Sequence, residues 1–216
     1  MVPQYGYKAG YLSIITLQIL GKTNEGRNDV FDSNYAKFRC SSAIVVDIEH
    51  YDTQEKMNMD VSTYDSSFIY EVGKEVVPHK YGEDLNKICA PGIHYFKTKE
   101  AAESYFCQHL DGEEKNGIYR TWHDNGRLWT ETTIKDGELD GLYKSWFSDG
   151  NIAEESIYKN GLYDGPYKAW SGNGQLIIEC TYKNGILDGT YKYMGSDGCL
   201  IENNINENGI KTCGRH

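Results

Sequence analysis

Between residues 117 and 209 the hydrophobic and polar positions recur every 24 residues, four times over and without an insertion. Gly117, Gly141, Gly165 and Gly189 stand in step, and so do Tyr119, Tyr143, Tyr167 and Tyr191. The same step links Trp122, Trp146 and Trp170, with Met194 in the fourth copy, and then Gly126, Gly150, Gly174 and Gly198. A second glycine series closes each copy at Gly137, Gly161, Gly185 and Gly209. A fixed period of this size marks a repeat architecture, in which one supersecondary unit is stacked on its neighbours. Within a copy, runs such as 142–148 and 151–159 are rich in Tyr, Trp, Phe and Ile without a helical period, so they are read as strands. Asn125-Gly126, Asp149-Gly150, Asn173-Gly174 and Asp197-Gly198 are read as two-residue type I′ turns, which need positive φ at both positions. Each copy is then one β-hairpin, and the Lys-Asn-Gly or Lys-Asp-Gly that ends it turns the chain into the next.

A two-residue turn at Asp149-Gly150 sets Lys144 opposite Glu155. The same rule sets Arg120 opposite Glu131 and Lys168 opposite Glu179. Opposite charges facing across two strands contribute about 0.2–1 kcal/mol, and Glu155→Lys is expected to rescue Lys144→Glu. Side chains alternate along a strand, so Trp146 shares a face with Lys144 and Glu155. Tyr143, Phe147, Ile152 and Tyr158 fall on the other face, which is the expected core side. Evenly spaced Trp on a charged face is also a candidate partner-binding strip, because aromatics dominate interface energetics. Its residues are Trp122, Trp146 and Trp170 with Arg120, Lys144, Lys168, Glu131, Glu155 and Glu179. The fourth copy has Asn203 where the others carry Glu, and Asn206 where the second and third carry Tyr, as a capping repeat would.

Residues 1–111 show no trace of this period and read as α+β. The apolar, β-branched stretch 11–20 predicts a buried strand, 43–49 a second, and 68–72 with 75–77 a strand pair. An extended piece follows near 93–96. Thr98 is placed to cap a short amphipathic helix over 99–108.

The repeat pattern Gly-x-Tyr-Lys-x-Trp, then Asp/Asn-Gly-x-Leu, then Glu-x-x-Tyr-Lys-Asn-Gly resembles the MORN repeat, in the variant form also found in bacterial antitoxin-like proteins. That resemblance covers about residues 112–209. It implies an array of antiparallel hairpins that binds or scaffolds and has no chemistry of its own. Residues 64–74, 92–96, 98–103 and 39–43 resemble an uncharacterised domain of large DNA viruses and phages that often precedes repeat arrays. It departs at 22–38, where an acidic, Asn-rich loop replaces an Arg/Ser/Thr-rich turn. This second resemblance implies a viral setting and assigns no activity.

Composition narrows the functional classes. With 39% hydrophobic and 13% aromatic residues the chain is expected to fold. Its net charge of −10 is shared by both halves, and no basic stripe offers binding to nucleic acid or an anionic membrane. Residues 11–20 are too short to span a bilayer and make a poor signal peptide, so an intracellular or virion location is expected. The six cysteines match no zinc template and are expected to be reduced and mostly buried. Cys89 and His94 form the one pair an enzyme would use, but closeness in sequence does not supply the geometry such catalysis needs, and no nucleophile signature surrounds Cys89. Asp140, Asp164 and Asp188 recur on one edge without a calcium-loop spacing.

The expectation is therefore an α+β domain at 1–111, an all-β array of antiparallel hairpins at 112–209 and a tail at 210–216. The protein is read as a non-enzymatic scaffold without cofactor or metal. A capsid or other virion protein is the specific partner expected, and self-association through the open sheet edge a further contact. The alternatives are an antitoxin-like binder of a small basic protein and a membrane-associated scaffold, the latter disfavoured by the acidic charge.

Overall fold

The computed structural model describes residues 2–107, 116–195, 198–207 and 210–212. Gln108, Asp197, Gly209 and Cys213 lie outside these residues, as do the side chains of Cys107, Asn203 and Asn206. The chain divides into two compact units, Met1–Asp111 with Trp122–Arg127, and Gly112–Thr121 with Leu128–His216.

The first unit contains β1 (Gln4–Ala9), β2 (Ser13–Ile19), β3 (Phe38–Cys40), β4 (Ala43–His50), β5 (Met59–Val61), β6 (Ile69–Glu71), β7 (Glu75–Val76), β8 (Ile93–Tyr95) and α1 (Lys99–Cys107). Four strands form an antiparallel sheet in the order β1-β2-β4-β7, while β3 pairs with β8 and β5 with β6. The β-branched run of β2 explains its place between β1 and β4, because both of its faces are covered. Ile15, Leu17 and Ile19 join Phe38, Val45, Tyr70 and Tyr95 in the main core. Ile14 packs with Ala9, Phe96, Ala101 and Ala102 under the helix. Thr98 does cap α1, its Oγ1 accepting from the Ala101 N–H at 3.3 Å.

Two features of this unit depart from the expectation. The segments 68–72 and 75–77 do not pair with each other. Val45 captures the turn between them, donating to the Lys74 carbonyl and accepting from the Gly73 N–H, so β7 joins β4 and β6 is left to β5. Strand β1 has no apolar run to announce it, and its Gly6 is required by the fold. A Cβ there would lie 2.4 Å from the ring of Tyr95.

The repeats form one antiparallel meander of β9 (Gly117–Trp122), β10 (Leu128–Lys135), β11 (Glu138–Trp146), β12 (Ile152–Lys159), β13 (Leu162–Trp170), β14 (Leu176–Lys183), β15 (Ile186–Leu187), β16 (Gly189–Met194), β17 (Leu200–Glu207) and β18 (Ile210–Thr212). Each strand lies beside its sequence neighbour, except that β14 pairs with both the short β15 and β16.

The two turn series exchange the roles expected of them. Type I′ geometry belongs to Asp136-Gly137, Asn160-Gly161 and Asn184-Gly185, where both residues have positive φ. At Asp149-Gly150 only the glycine does, with φ of 94°. The Gly150 N–H donates to the Phe147 carbonyl at 2.9 Å, and the Phe147 N–H to the Asn151 carbonyl at 2.8 Å. This is a three-residue loop, a type I turn followed by a left-handed glycine. The expected register survives because a second irregularity compensates the first. Trp146 pairs with Ile152 and Ser145 with Glu154, so Ala153 is an extra bulge residue, and Lys144 meets Glu155 after all. The bulge also moves Ile152 onto the Trp146 face, opposite to the side expected.

Candidate functional site

Strand register turns the three expected ion pairs into a continuous row across the sheet. Within hairpins, Arg120 Nε lies 2.7 Å from Glu131, and Lys144 and Lys168 each lie 3.4 Å from Glu155 and Glu179. Between hairpins, Glu131 is the register partner of Lys144, and Glu155 of Lys168. Lys192 closes the row 2.9 Å from Glu179. Seven charges thus alternate in sign, Arg120, Glu131, Lys144, Glu155, Lys168, Glu179, Lys192, one per strand. The two lysines beside Glu179 hold its carboxyl below the ordinary range through their hydrogen bonds, that of Lys192 foremost.

This row changes the expected rescue. Lys144→Glu faces like charge on both sides, at Glu131 and at Glu155. Adding Glu155→Lys repairs the contact between the two substituted positions. It also sets the introduced lysine beside Lys168 and leaves the introduced glutamate beside Glu131. Both variants should therefore lose about 1 kcal/mol in urea denaturation, with no recovery in the double variant. Recovery to the parental midpoint would show that only the within-hairpin pairs matter.

Trp146 and Trp170 flank the row on the same face, paired with Ile152 and Leu176. Alternation puts Leu142, Leu162 and Ile186 on that face too, at 40%, 50% and 50% exposure. The opposite face is the better covered. Ser145, Ser156, Cys180 and Ile134 are buried on the sheet, and tyrosine rings pack along it. Tyr163 stands 4.4 Å from Tyr158 and 5.1 Å from Tyr182, centroid to centroid. Glu154 accepts from the Ser156 hydroxyl at 2.9 Å and from Tyr163 at 3.2 Å. Burial, with Glu154 nearby, raises the phenols, Tyr167 to about 12. The tyrosine side is the core side, as expected.

Residues 115–136, 139–160 and 163–184 each match the model of the MORN repeat variant. Each of these three spans is similar to a MORN repeat. The fourth copy lies beyond these three spans. MORN repeats are generally involved in protein or membrane binding, and proteins that carry them are typically non-catalytic. Residues 3–102 match a family of unknown function (DUF5758), which assigns no activity. No curated protein matches the chain.

The remaining candidates fall into place around the repeats. Trp122 belongs to the first unit, where its ring stacks on Tyr35 at 4.1 Å. The recurring acidic residues serve turns. Asp140 and Asp164 accept from the N–H groups of Asn160 and Asn184, the left-handed residues of the type I′ turns, at 3.4 and 3.3 Å. Among the described residues no cluster of metal-ligating side chains is found, and no helix is long and apolar enough to cross a membrane. Cys40, Cys89 and Cys180 are free thiols; Cys40 and Cys180 are buried, whereas Cys89 and Cys199 are exposed. Burial pushes the Cys40 thiol up to about 12, out of nucleophilic range. His94 Nε2 lies 3.2 Å from the Ile88 carbonyl, and no hydrogen bond joins His94 to Cys89. Burial, with Lys37 nearby, lowers His94 to about 4, so its imidazole is neutral near pH 7.

Four cations are buried in the first unit, and sequence reading picked out none of them. Arg39 donates to the carbonyls of Lys87, Asp84 and Gly82, the last at 2.9 Å. Arg27 lies 3.0 Å from Asp29, and Lys37 donates to the Tyr105 hydroxyl at 3.1 Å. Lys8 is the fourth, 9% exposed, with its ammonium 5.6 Å from the ring centre of Tyr70.

Proposed function

We propose that this chain is a non-enzymatic interaction scaffold that offers the charged, Trp-bearing face of its repeat sheet to a protein partner. The alternating row carries this reading. It gives a fixed charge pattern, and half-buried Trp146 and Trp170 with exposed Leu142, Leu162 and Ile186 supply apolar contact around it. Arg120, Lys144, Lys168, Glu131, Glu155 and Glu179 set partner register, while the apolar residues supply affinity. Trp122, already stacked on Tyr35, contributes least. The net charge of −10 favours a partner with a basic surface. The resemblance of the N-terminal half to a domain of large DNA viruses supports a virion protein as that partner, in host cytoplasm or in the particle. The same surface and charge would also suit an antitoxin-like grip on one small basic protein.

The test is affinity capture on the full chain, wild type against a Leu142→Ser, Leu162→Ser, Ile186→Ser variant, read by mass spectrometry and titrated with the recovered partner. The reading expects a saturable partner whose affinity falls roughly tenfold or more in the variant. Equal binding by both forms would move the site off this face. Flotation with lipid vesicles and no protein partner would replace the scaffold reading with a membrane one.

A further inference from the structure

The first unit carries an open pocket of about 570 Å³, in the size range of small-molecule sites. Its walls include the aromatic side chains of Phe68, Tyr70 and Phe96, and its polar lining is dominated by cations. Its cations are Lys8, Lys37 and Lys80, with His79 and the neutral His94 beside them, against one carboxylate, that of Asp65. Asp65 is already engaged, accepting from the N–H and hydroxyl of Ser67. A basic cavity in a protein of net charge −10 runs against the average of its own surface.

Lys8 decides what the cavity is for. The residue is 9% exposed, and among the described residues its ammonium has neither a hydrogen-bond acceptor nor a carboxylate within ion-pair distance. The nearby Asp60 is spoken for by the Leu12 N–H at 3.0 Å, the Ser13 hydroxyl at 2.5 Å and the Val61 N–H at 2.8 Å. The other three buried cations each have at least one partner, although Arg27 Nη1 and Arg39 Nε have none of their own among the described residues. A largely buried ammonium without a counter-ion in contact is costly to keep, and this one lines an open, apolar-walled space beside a second lysine.

We propose that this cavity binds a small organic anion, a phosphate or carboxylate group on a flat apolar body, with Lys8 and Lys37 holding the charge and the aromatic walls holding the body. Burial and the neighbouring Lys37 lower the Lys8 ammonium to about 8. It therefore stays largely charged near pH 7 at the expense of stability, and an arriving anion relieves that strain. The site is independent of the repeat sheet and of whatever that sheet binds.

Full-length protein would be titrated with phenyl phosphate, benzoate, inorganic phosphate and neutral benzyl alcohol, by calorimetry and thermal shift. Phenyl phosphate or benzoate should bind saturably and raise the melting temperature, because a ligand of the native state stabilises it. Inorganic phosphate and benzyl alcohol should each bind at least tenfold more weakly, having only one of the two recognition elements. Lys8→Met should abolish the anion response while raising the melting temperature of the free protein, since it removes an uncompensated buried charge. That rise separates loss of the site from loss of the fold. Lys37→Gln provides a second variant and should weaken the same anions. Comparable binding of benzyl alcohol, an anion response unchanged in Lys8→Met, or no saturable response to any anion would each overturn the proposal. Preference between phenyl phosphate and benzoate assigns the anionic group.

Discussion

Gly126→Ala is expected to cost the first unit about 3–5 kcal/mol, whereas Gly174→Ala, at the equivalent position two repeats on, costs about 1 kcal/mol. Both glycines have left-handed backbones, with φ of 85° and 82°, so both substitutions pay the same conformational penalty. They differ in what an added methyl meets. At Gly174 nothing lies within 4 Å, while at Gly126 a Cβ would sit 2.1 Å from the Asp32 carbonyl oxygen and 3.0 Å from the Ala36 nitrogen. Neither obstacle is a side chain that can swing away. The Ala36 N–H donates to that same Asp32 carbonyl, and the Phe31 N–H to the Asn125 carbonyl at 2.8 Å. The 31–36 segment and the 123–126 turn must therefore part together. Thermal unfolding followed by near-ultraviolet circular dichroism would read the difference as a fall of about 10 °C or more against a few degrees. Equal losses would mean that the close packing at Gly126 contributes nothing.

The second large effect is expected at Arg39. Its fully buried guanidinium is the only donor bridging the carbonyls of Gly82, Asp84 and Lys87 among the described hydrogen bonds, in a segment with no strand or helix of its own. Arg39→Met keeps the length of the side chain but strands the carbonyls of Gly82 and Lys87 and leaves that of Asp84 only the 3.4 Å bond from the Lys87 N–H, at about 3–5 kcal/mol. Arg39→Lys should recover little, because one ammonium does not reproduce a planar fork that reaches three acceptors. Hydrogen exchange over residues 80–92 would show the loss locally, as a segment that opens before the rest of the unit. A Lys variant as protected as the parent would leave charge, not geometry, as the reason for Arg39.

How much of this was legible in the chain depends on where its partners lie. Gly141, Tyr143 and Lys144 announce themselves because they recur at a fixed step, and their cross-strand partners are only a dozen residues away. The turn types were harder to read, since Asn-Gly and Asp-Gly occur in both series. What separates them is the flanking geometry: type I′ at Asn160-Gly161 joins strands directly, while Asp149-Gly150 is followed by a bulge at Ala153. The between-hairpin contacts of the charge row follow only once the meander is known. In the first unit, β2 and the Thr98 cap could be seen from local pattern. Strand β1 could not, because Gly6 is explained by the distant ring of Tyr95. Nor could the cavity, which draws Lys8, Lys37 and His94 from three separate parts of the chain, with nothing periodic to connect them.

The charge row also bears on how the number of repeats can change. Each of the first three 24-residue copies contributes one cation followed, eleven positions later, by one anion, and the fourth contributes only the closing cation Lys192. Excising residues 141–164 would bring Lys168 opposite Glu131, and duplicating them would insert another plus-minus pair in phase. Either event leaves every neighbour opposite in sign and the register intact. Array length is thus a variable that recombination can alter without an electrostatic defect, each added or lost copy changing stability by its own share and by one interface.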